Sequence, residues 1–451
     1  MNKITVGYMG LSKASWKTPK IQTLMRQAVD SLKTLPDTAI VADEELTTTE
    51  AEAIAACEKL NRIGVDAVIL HLVTFPVGAI IPAILQRLTV PVILFANPEE
   101  PEAGGVWTQN SFCGANMAAH AAHKMGHPYQ FAWGKSENAA ATLAPMLKVL
   151  RGQKMLSTTR LGLVGGRVPG FYTSNFDELK LRAAFGLTVE VIDLLEVVET
   201  ARCLTATEAA AGLATVKENA AQICAVTDRE LQLAGNLFQA FLKLADKYQL
   251  NGFAIRCWPE FSDLYGIAPC AVIGMLNNAG LAASCEGDIP GAVTMQLQQA
   301  LSDGGIPFFV DLISFDYHDN TGVVWHCGAA PSKLCRNFAE TTLRLHGRVD
   351  GGDKKGVTND FSLKPGRVTM AKLDETPDGY RMLIAPGTAL DTDQFIRGNP
   401  LRIKFDGDMK TLIDTIMKEG FEHHYSVIHA DLRDELLEFC ELYHINPIVI
   451  A

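Results

Sequence analysis

The feature that most constrains this chain is an alternation repeated along its first third. Short, almost wholly apolar runs take turns with segments of helical periodicity. Residues 4–9 form a β-rich run ending in Gly10, and residues 20–35 have a helical pattern. Residues 39–42 read as a strand, 49–63 as a helix, 65–72 as a strand, 77–88 as a helix and 90–95 as a strand. A strand that is apolar on both faces has no side for water. It belongs in a parallel sheet covered by helices on both faces.

The pattern restarts near Arg160. Residues 161–164 read as a strand running into Gly165-Gly166, 176–185 as a helix and 187–193 as a strand. Long helical patterns follow at 206–220 and 229–248, then a strand at 253–257. The helical segment 137–150 bridges the two units. Past residue 330 the character changes. Strand-like segments at 367–373 and 381–385 are separated by Gly-, Pro- and Asp-rich turns, and helix signals return only at 408–419 and 432–443. The expected fold is α/β: two successive α/β domains with parallel sheets, residues 1–155 and 156–330, followed by a mostly β domain, residues 331–451. A length of 451 residues agrees with about three domains.

A formal charge of −11 without a basic run argues against nucleic acid as partner, since phosphate binding needs clustered Lys and Arg. Ten scattered cysteines contain no Cys-x-x-Cys pair, which argues against a structural zinc site and for a reducing, cytoplasmic setting. The N-terminus begins directly with a strand pattern and lacks the form of a signal peptide. No apolar run is long enough to span a membrane.

Three polar residues stand at ends of apolar strands. Glu286 follows a small-residue strand and precedes Gly-Asp-Ile-Pro, where a helix over 291–301 can begin. A carboxylate there sits at the rim of a parallel sheet, where α/β proteins place ligands. Taken alone it reads equally as a helix-end acid. Asp311 is embedded in Pro-Phe-Phe-Val-Asp-Leu-Ile-Ser-Phe. Burying it unpaired is costly, and either a metal ion or an Arg would offset that cost. His326 ends Val-Val-Trp-His and alone reads more readily as a core histidine. His423-His424 follows a predicted helix, on a loop.

In combination these segments resemble a known family. Ser-Cys-Glu-Gly-Asp-Ile-Pro-Gly-Ala-Val-Thr-Met at 284–295, Phe-Val-Asp-Leu at 309–312, Trp-His-Cys-Gly at 325–328, and His423-His424 before a terminal helix are similar, in order and rough spacing, to the L-fucose isomerase and L-arabinose isomerase superfamily. The resemblance covers most of the chain and is strongest at about 250–330 and at the C-terminus. It implies two α/β domains and a β-rich third. Glu286 and Asp311 become catalytic and metal-binding carboxylates, His424 a metal ligand, and His326 a ligand as in the arabinose enzymes. It further implies a trimer or hexamer in which a neighbour's N-terminal domain completes the site. Such enzymes move a proton between C1 and C2 of an open-chain sugar through an ene-diol, two carboxylates serving as acid and base. Two carboxylates plus imidazole suit Mn²⁺, with Mg²⁺ or Co²⁺ as alternatives, and no organic cofactor is expected.

The substrate-facing positions diverge. Leu-Val-Thr-Phe-Pro at 72–76, containing Phe75, resembles a strand end of the family, and Asn110-Ser111 falls at its substrate-contacting Asn-Gln pair. Trp16 and Lys17 stand where an arabinose isomerase has a substrate-contacting Gln. Arg167 and Glu260 also differ from the named enzymes. Trp16, Lys17 and Arg167 read either as a cradle for an anionic group or as surface residues. Glu260 reads either as a site residue or as half of an ion pair. The sugar is therefore open, with a deoxy or sulfonated hexose among the expectations. Two competing readings are a non-catalytic sugar-binding or regulatory protein on the same scaffold, and a metal-dependent aldolase or hydratase.

Overall fold

The computed structural model describes residues 3–99, 107–347 and 353–451. They divide into two compact units, Met1–Lys154 and Met155–Ala451.

The first unit runs β1 (Ile4–Leu11), α1 (Pro19–Leu32), β2 (Thr38–Ala42), α2 (Glu50–Ile63), β3 (Ala67–Leu72), α3 (Ile80–Leu85), β4 (Val92–Ala96), α4 (Ser111–Met125), β5 (Tyr129–Trp133) and α5 (Ala139–Ser157). Its five strands are all parallel in the order β2-β1-β3-β4-β5. Every residue of β3 and β4 is buried, the reason their sequences lack alternation. Helix α2 is set by a capping box, Thr49 accepting from the Glu52 amide while Glu52 reaches back. Helix α3 is shorter than the expected 77–88. Its first residues follow Pro76 and Gly78 and have no side-chain cap, so the helix starts late. Strand order reverses between β1 and β3, which opens a crevice outside their carboxyl ends.

The second unit begins with β6 (Arg160–Val164), α6 (Glu178–Phe185), β7 (Thr188–Ile192), α7 (Leu194–Arg202), α8 (Ala206–Glu218), β8 (Gln222–Ile223), α9 (Asp228–Tyr248), β9 (Gly252–Ile255), α10 (Cys270–Asn278), β10 (Ala282–Cys285) and α11 (Ile289–Leu301). Strands β10-β9-β6-β7 form a parallel sheet. It continues with β11 (Pro307–Asp316), β12 (Thr321–Trp325), β13 (Thr342–Gly347), β14 (Asp353–Asp360), β15 (Gly366–Thr376), β16 (Gly379–Ala389), β17 (Leu401–Phe405), α12 (Met409–Glu419), β18 (His424–Ile428), α13 (Arg433–Leu442) and β19 (Asn446–Val449).

Strands β15-β18-β11-β12-β17-β16 are joined in that order by antiparallel ladders, and β16 pairs back with β15. The sheet thus closes into a six-stranded barrel, which removes its edges. Phe308, Val310, Val324, Met370, Leu383 and Tyr425 belong to its apolar core. The hairpin β15–β16 extends beyond the expected 367–373 and 381–385, because its ladder outruns the apolar core that carries the sequence signal. Strands β11 and β12 precede residue 330 yet take their places in this barrel. We propose that the central and C-terminal domains are subdomains of this one unit, interlocked through β11 and β12.

Candidate active site and metal centre

Antiparallel register brings the key side chains together. In the barrel, Asp311 of β11 stands opposite His424 of β18 and, on its other side, opposite Trp325 of β12. Cross-strand partners point to one face, so Asp311 and His424 must share it. His424 is not on a loop, as expected from the residues alone: it opens β18 and is buried. The Phe309 ring, two residues before Asp311, packs under it with centroids 4.6 Å apart.

Glu286 reaches the same place from the parallel sheet. It directly follows β10 with φ +61°, and Gly287 comes next at φ +73°. A non-glycine residue in this region costs about 1–3 kcal/mol and is held there only by its surroundings. The turn is pinned by Gly287 N donating to Ile255 O at 3.1 Å and by Asp288 N donating to Cys285 O at 3.2 Å. The helix N-cap is Asp288, not Glu286, and α11 starts two residues before the expected 291. That leaves the Glu286 carboxylate free of capping.

Glu286 Oε2 lies 2.9 Å from His424 Nε2, and Asp311 Oδ1 lies 3.8 Å from the same nitrogen. On the far side of the ring, His424 Nδ1 donates to Asp288 Oδ2 at 3.0 Å. This bond directs the Nε2 lone pair at the two carboxylates. His424 Nε2 and Asp311 Oδ1 are buried without a hydrogen-bond partner. Facing acceptors are unfavourable unless a cation lies between them. Bonds of about 2.0–2.2 Å to one ion place neighbouring donor atoms roughly 3 Å apart, close to what is found. An imidazole backed by a carboxylate is also the usual support of a metal-binding histidine. His424 could thus hold a divalent ion with Glu286 and His423 or with Asp311 and His326, since the ligand atoms of each group lie within 4.8 Å of one another. Burial opposes charge on His424, but Asp288 and Glu286 prevail and raise its pKa. Proton and cation compete for one position. Burial likewise opposes charge on Glu286, yet His423 and His424 hold its carboxyl well below the usual range.

His326 is buried within ligand reach of Asp311 and His424. Its Nδ1 accepts the Cys327 amide at 3.0 Å, which leaves Nε2 to carry the ring proton whenever the imidazole is neutral. His423 is half-exposed, 3.8 Å from Glu286 Oε2.

Behind His424 lies a network the sequence reading passed over. Lys372, on β15, is buried between Asp288, at 3.0 Å, and Glu422, in close contact. Asp288 also caps α11 by accepting from Gly291 N at 2.7 Å. Asp288 was legible as a cap, and a Lys inside an apolar strand was a signal. Their meeting was not, because 84 residues separate them.

Arg167 follows Gly165 and Gly166 at the carboxyl end of β6. A Cβ on Gly287 would lie 2.9 Å from the Arg167 Cα, so Arg167 adjoins the Glu286 turn. Its guanidinium packs over Tyr172 at 4.9 Å, and no acidic partner is found for it among the described residues. Glu260 is ion-paired with Arg256 in close contact, the second of the two roles open to it. A cavity of about 630 Å³ is lined by Glu286, Trp258, Trp325 and Arg397 among others.

The remaining sequence candidates lie in the first unit, at carboxyl ends of its parallel strands. Trp16 packs edge-on to Trp107 at 5.4 Å. Lys17 is paired with Glu45 at 2.5 Å. Phe75 follows β3. Asn110 has φ +47° and its amide donates to Glu99 at 2.7 Å. Ser111 is buried, with its hydroxyl on Leu72 O and receiving the Asn97 amide at 2.9 Å.

Residues 12–156 match the N-terminal domain of fucose/sulfoquinovose isomerases, and residues 324–450 match the C-terminal domain of L-fucose isomerase. The chain is 30% identical to the sulfoquinovose isomerase of Alkalicoccus urumqiensis, over 99% of both chains. It is 28% identical to that of Priestia megaterium, over 97% of both. The chain belongs to the fucose/sulfoquinovose isomerase family. Similarity extends to L-arabinose isomerase of Klebsiella pneumoniae, 24% identical over 42% of this chain and 40% of that one. The resemblance drawn from the motifs is thereby shown, and with it the activity class: this family member is an aldose–ketose isomerase. The non-catalytic reading is not favoured. No helix among the described residues is long and apolar enough to cross a membrane.

Proposed function

We propose that this enzyme interconverts the aldose and ketose forms of a sulfonated hexose of the sulfoquinovose type, with Mn²⁺ held by Glu286, Asp311 and His424. The observation that carries this is His424 Nε2, buried without a hydrogen-bond partner and shared by two groups of possible ligands, Glu286 with His423 and Asp311 with His326. A bound divalent ion would polarise the sugar oxygens on C1 and C2 and stabilise charge developing there. The carboxylates of Glu286 and Asp311 take the proton from one carbon and return it to the other through the ene-diol. His326, with Nε2–H, donates to a sugar oxygen. Arg167 holds the sulfonate as a forked donor, which matches a tetrahedral anion. Trp16, Lys17, Phe75 and Asn110 of the N-terminal unit contribute sugar contacts to the site of a neighbouring copy. Ser111 shapes that strand end, and Glu260 positions Arg256. We further propose a cytoplasmic homo-oligomer, trimer or hexamer. All ten cysteines are free, and Phe112, packed against Phe131 and Trp133, is exposed with them on the first unit.

The test follows sulfoquinovose and its sulfonate-free analogue in D₂O by NMR. Activity should stop with EDTA and return with Mn²⁺, with one carbon-bound proton exchanged and no chain cleavage. Arg167→Met should lower kcat/KM for the sulfonated sugar about 100-fold and leave the neutral analogue nearly unchanged. Unaltered discrimination would remove Arg167 from the anion site, and EDTA-resistant turnover would sink the metal reading.

A further inference from the structure

A second group of metal-ligating side chains lies in the wall of the cavity that Glu286 lines. Cys270 opens α10, Cys327 follows β12, and His346 lies near the end of β13. All three border that cavity. The two sulfurs are 3.9 Å apart, and the ligand atoms of all three residues lie within 4.8 Å of one another. A disulfide needs about 2.05 Å between sulfurs. A tetrahedral ion with metal–sulfur bonds of about 2.3 Å sets two sulfurs roughly 3.8 Å apart. The observed spacing suits a thiol–thiol hydrogen bond in the metal-free chain and also matches that of a metal-ligating pair. His346 Nδ1 donates to Gly347 O at 2.7 Å. That bond leaves the Nε2 lone pair free and fixes the ring, as the outer partner of a metal-bound histidine does.

We propose that Cys270, Cys327 and His346 form a distinct site for a thiophilic divalent cation of the Zn²⁺ or Cd²⁺ class. Soft sulfur ligands separate it from the oxygen-rich group at Glu286, which suits harder ions. On binding, the two thiols release their protons to solvent and the sulfurs coordinate as thiolates. Three protein ligands leave the fourth tetrahedral position facing the cavity, so an ion held there inhibits the isomerase. This consequence rests on the cavity being the sugar pocket proposed above. The absence of a Cys-x-x-Cys pair hid the site, because its ligands come from three separate elements.

The experiment uses the full chain saturated with Mn²⁺, in a non-thiol reductant, titrated with Cd²⁺. A thiolate-to-cadmium absorption band should grow to one equivalent. Cys270→Ser and His346→Ala, each checked for an unchanged circular dichroism spectrum, should weaken Cd²⁺ binding by at least about tenfold. Isomerase activity, relative to each variant's own uninhibited rate, should fall with the band in the natural chain and resist Cd²⁺ in the variants. No band at one equivalent, or a band of unchanged affinity in both variants, overturns the site. Inhibition without a band assigns the inhibitory ion to the Glu286 group and overturns it too. A band without inhibition upholds the cation site and overturns its place on the substrate path. If the Mn²⁺-loaded chain isomerises no sugar, the functional reading fails while the band still decides the site.

Discussion

Asp288 shows how one side chain is given two duties. It caps α11 and orients His424, so its carboxylate links the helix to the barrel. Asp288→Asn is expected to lower Mn²⁺ affinity about 10–100-fold, the usual cost of losing an outer partner of a metal-bound histidine. Calorimetric titration of the chelator-stripped protein checks this, and an unchanged affinity would count against His424 as ligand. Lys372 acts at the same scale. Removing its charge leaves Asp288 and Glu422 buried together. Lys372→Met should therefore destabilise the fold by about 3–5 kcal/mol in urea unfolding, and adding Glu422→Gln should recover part of it. Equal loss in the single and double variants would point to packing instead.

At the scale of elements, the site depends on two loops meeting. The turn after β10 lies against the loop after β6: a Cβ on Gly287 would come within 2.4 Å of the Gly166 carbonyl oxygen, at a position with φ +73°. Gly287→Ala combines left-handed strain with a backbone clash. It should cost about 1–3 kcal/mol or more, lower the melting temperature and displace Glu286, so that kcat falls as well. A variant with full kcat would show that the loops yield without moving the carboxylate. The barrel ladder is less forgiving. Asp311 and His424 face one another by register, and a shift of one residue in either strand would turn its side chain to the opposite face.

At the scale of the whole molecule, acid should act through the first unit. His71 is fully buried on β3, between the Tyr8 hydroxyl and the Asn97 amide at 2.8 Å. Burial, only partly offset by Asn97, lowers its pKa from 6.5 to about 3. The unfolded chain takes up a proton below about pH 6.5 and the folded chain does not. Stability from this residue is therefore complete above that pH and is lost as pH falls towards 3. The loss is roughly 2 kcal/mol between pH 7 and 5. Urea midpoints at the two pH values measure it. His71→Gln should flatten the dependence, and an equally steep slope in that variant would place the titrating group elsewhere.

The order of helices and strands in the first unit was legible in sequence, because strands buried on both faces must be apolar throughout and their helices amphipathic. Glu286, Asp311 and His424 were legible as a set only through the family resemblance of the short motifs around them; taken singly, each had an ordinary structural reading. What the tertiary structure decided is who meets whom. Barrel closure drew β11 and β12 across the expected domain division. Register set Asp311 opposite His424. A lysine from β15 reached an aspartate at the head of α11, and two cysteines and a histidine from separate elements came together. Local sequence encodes which faces must leave water, whereas long-range pairing of backbone ladders, with buried charges that must find partners, determines the contacts made across those faces.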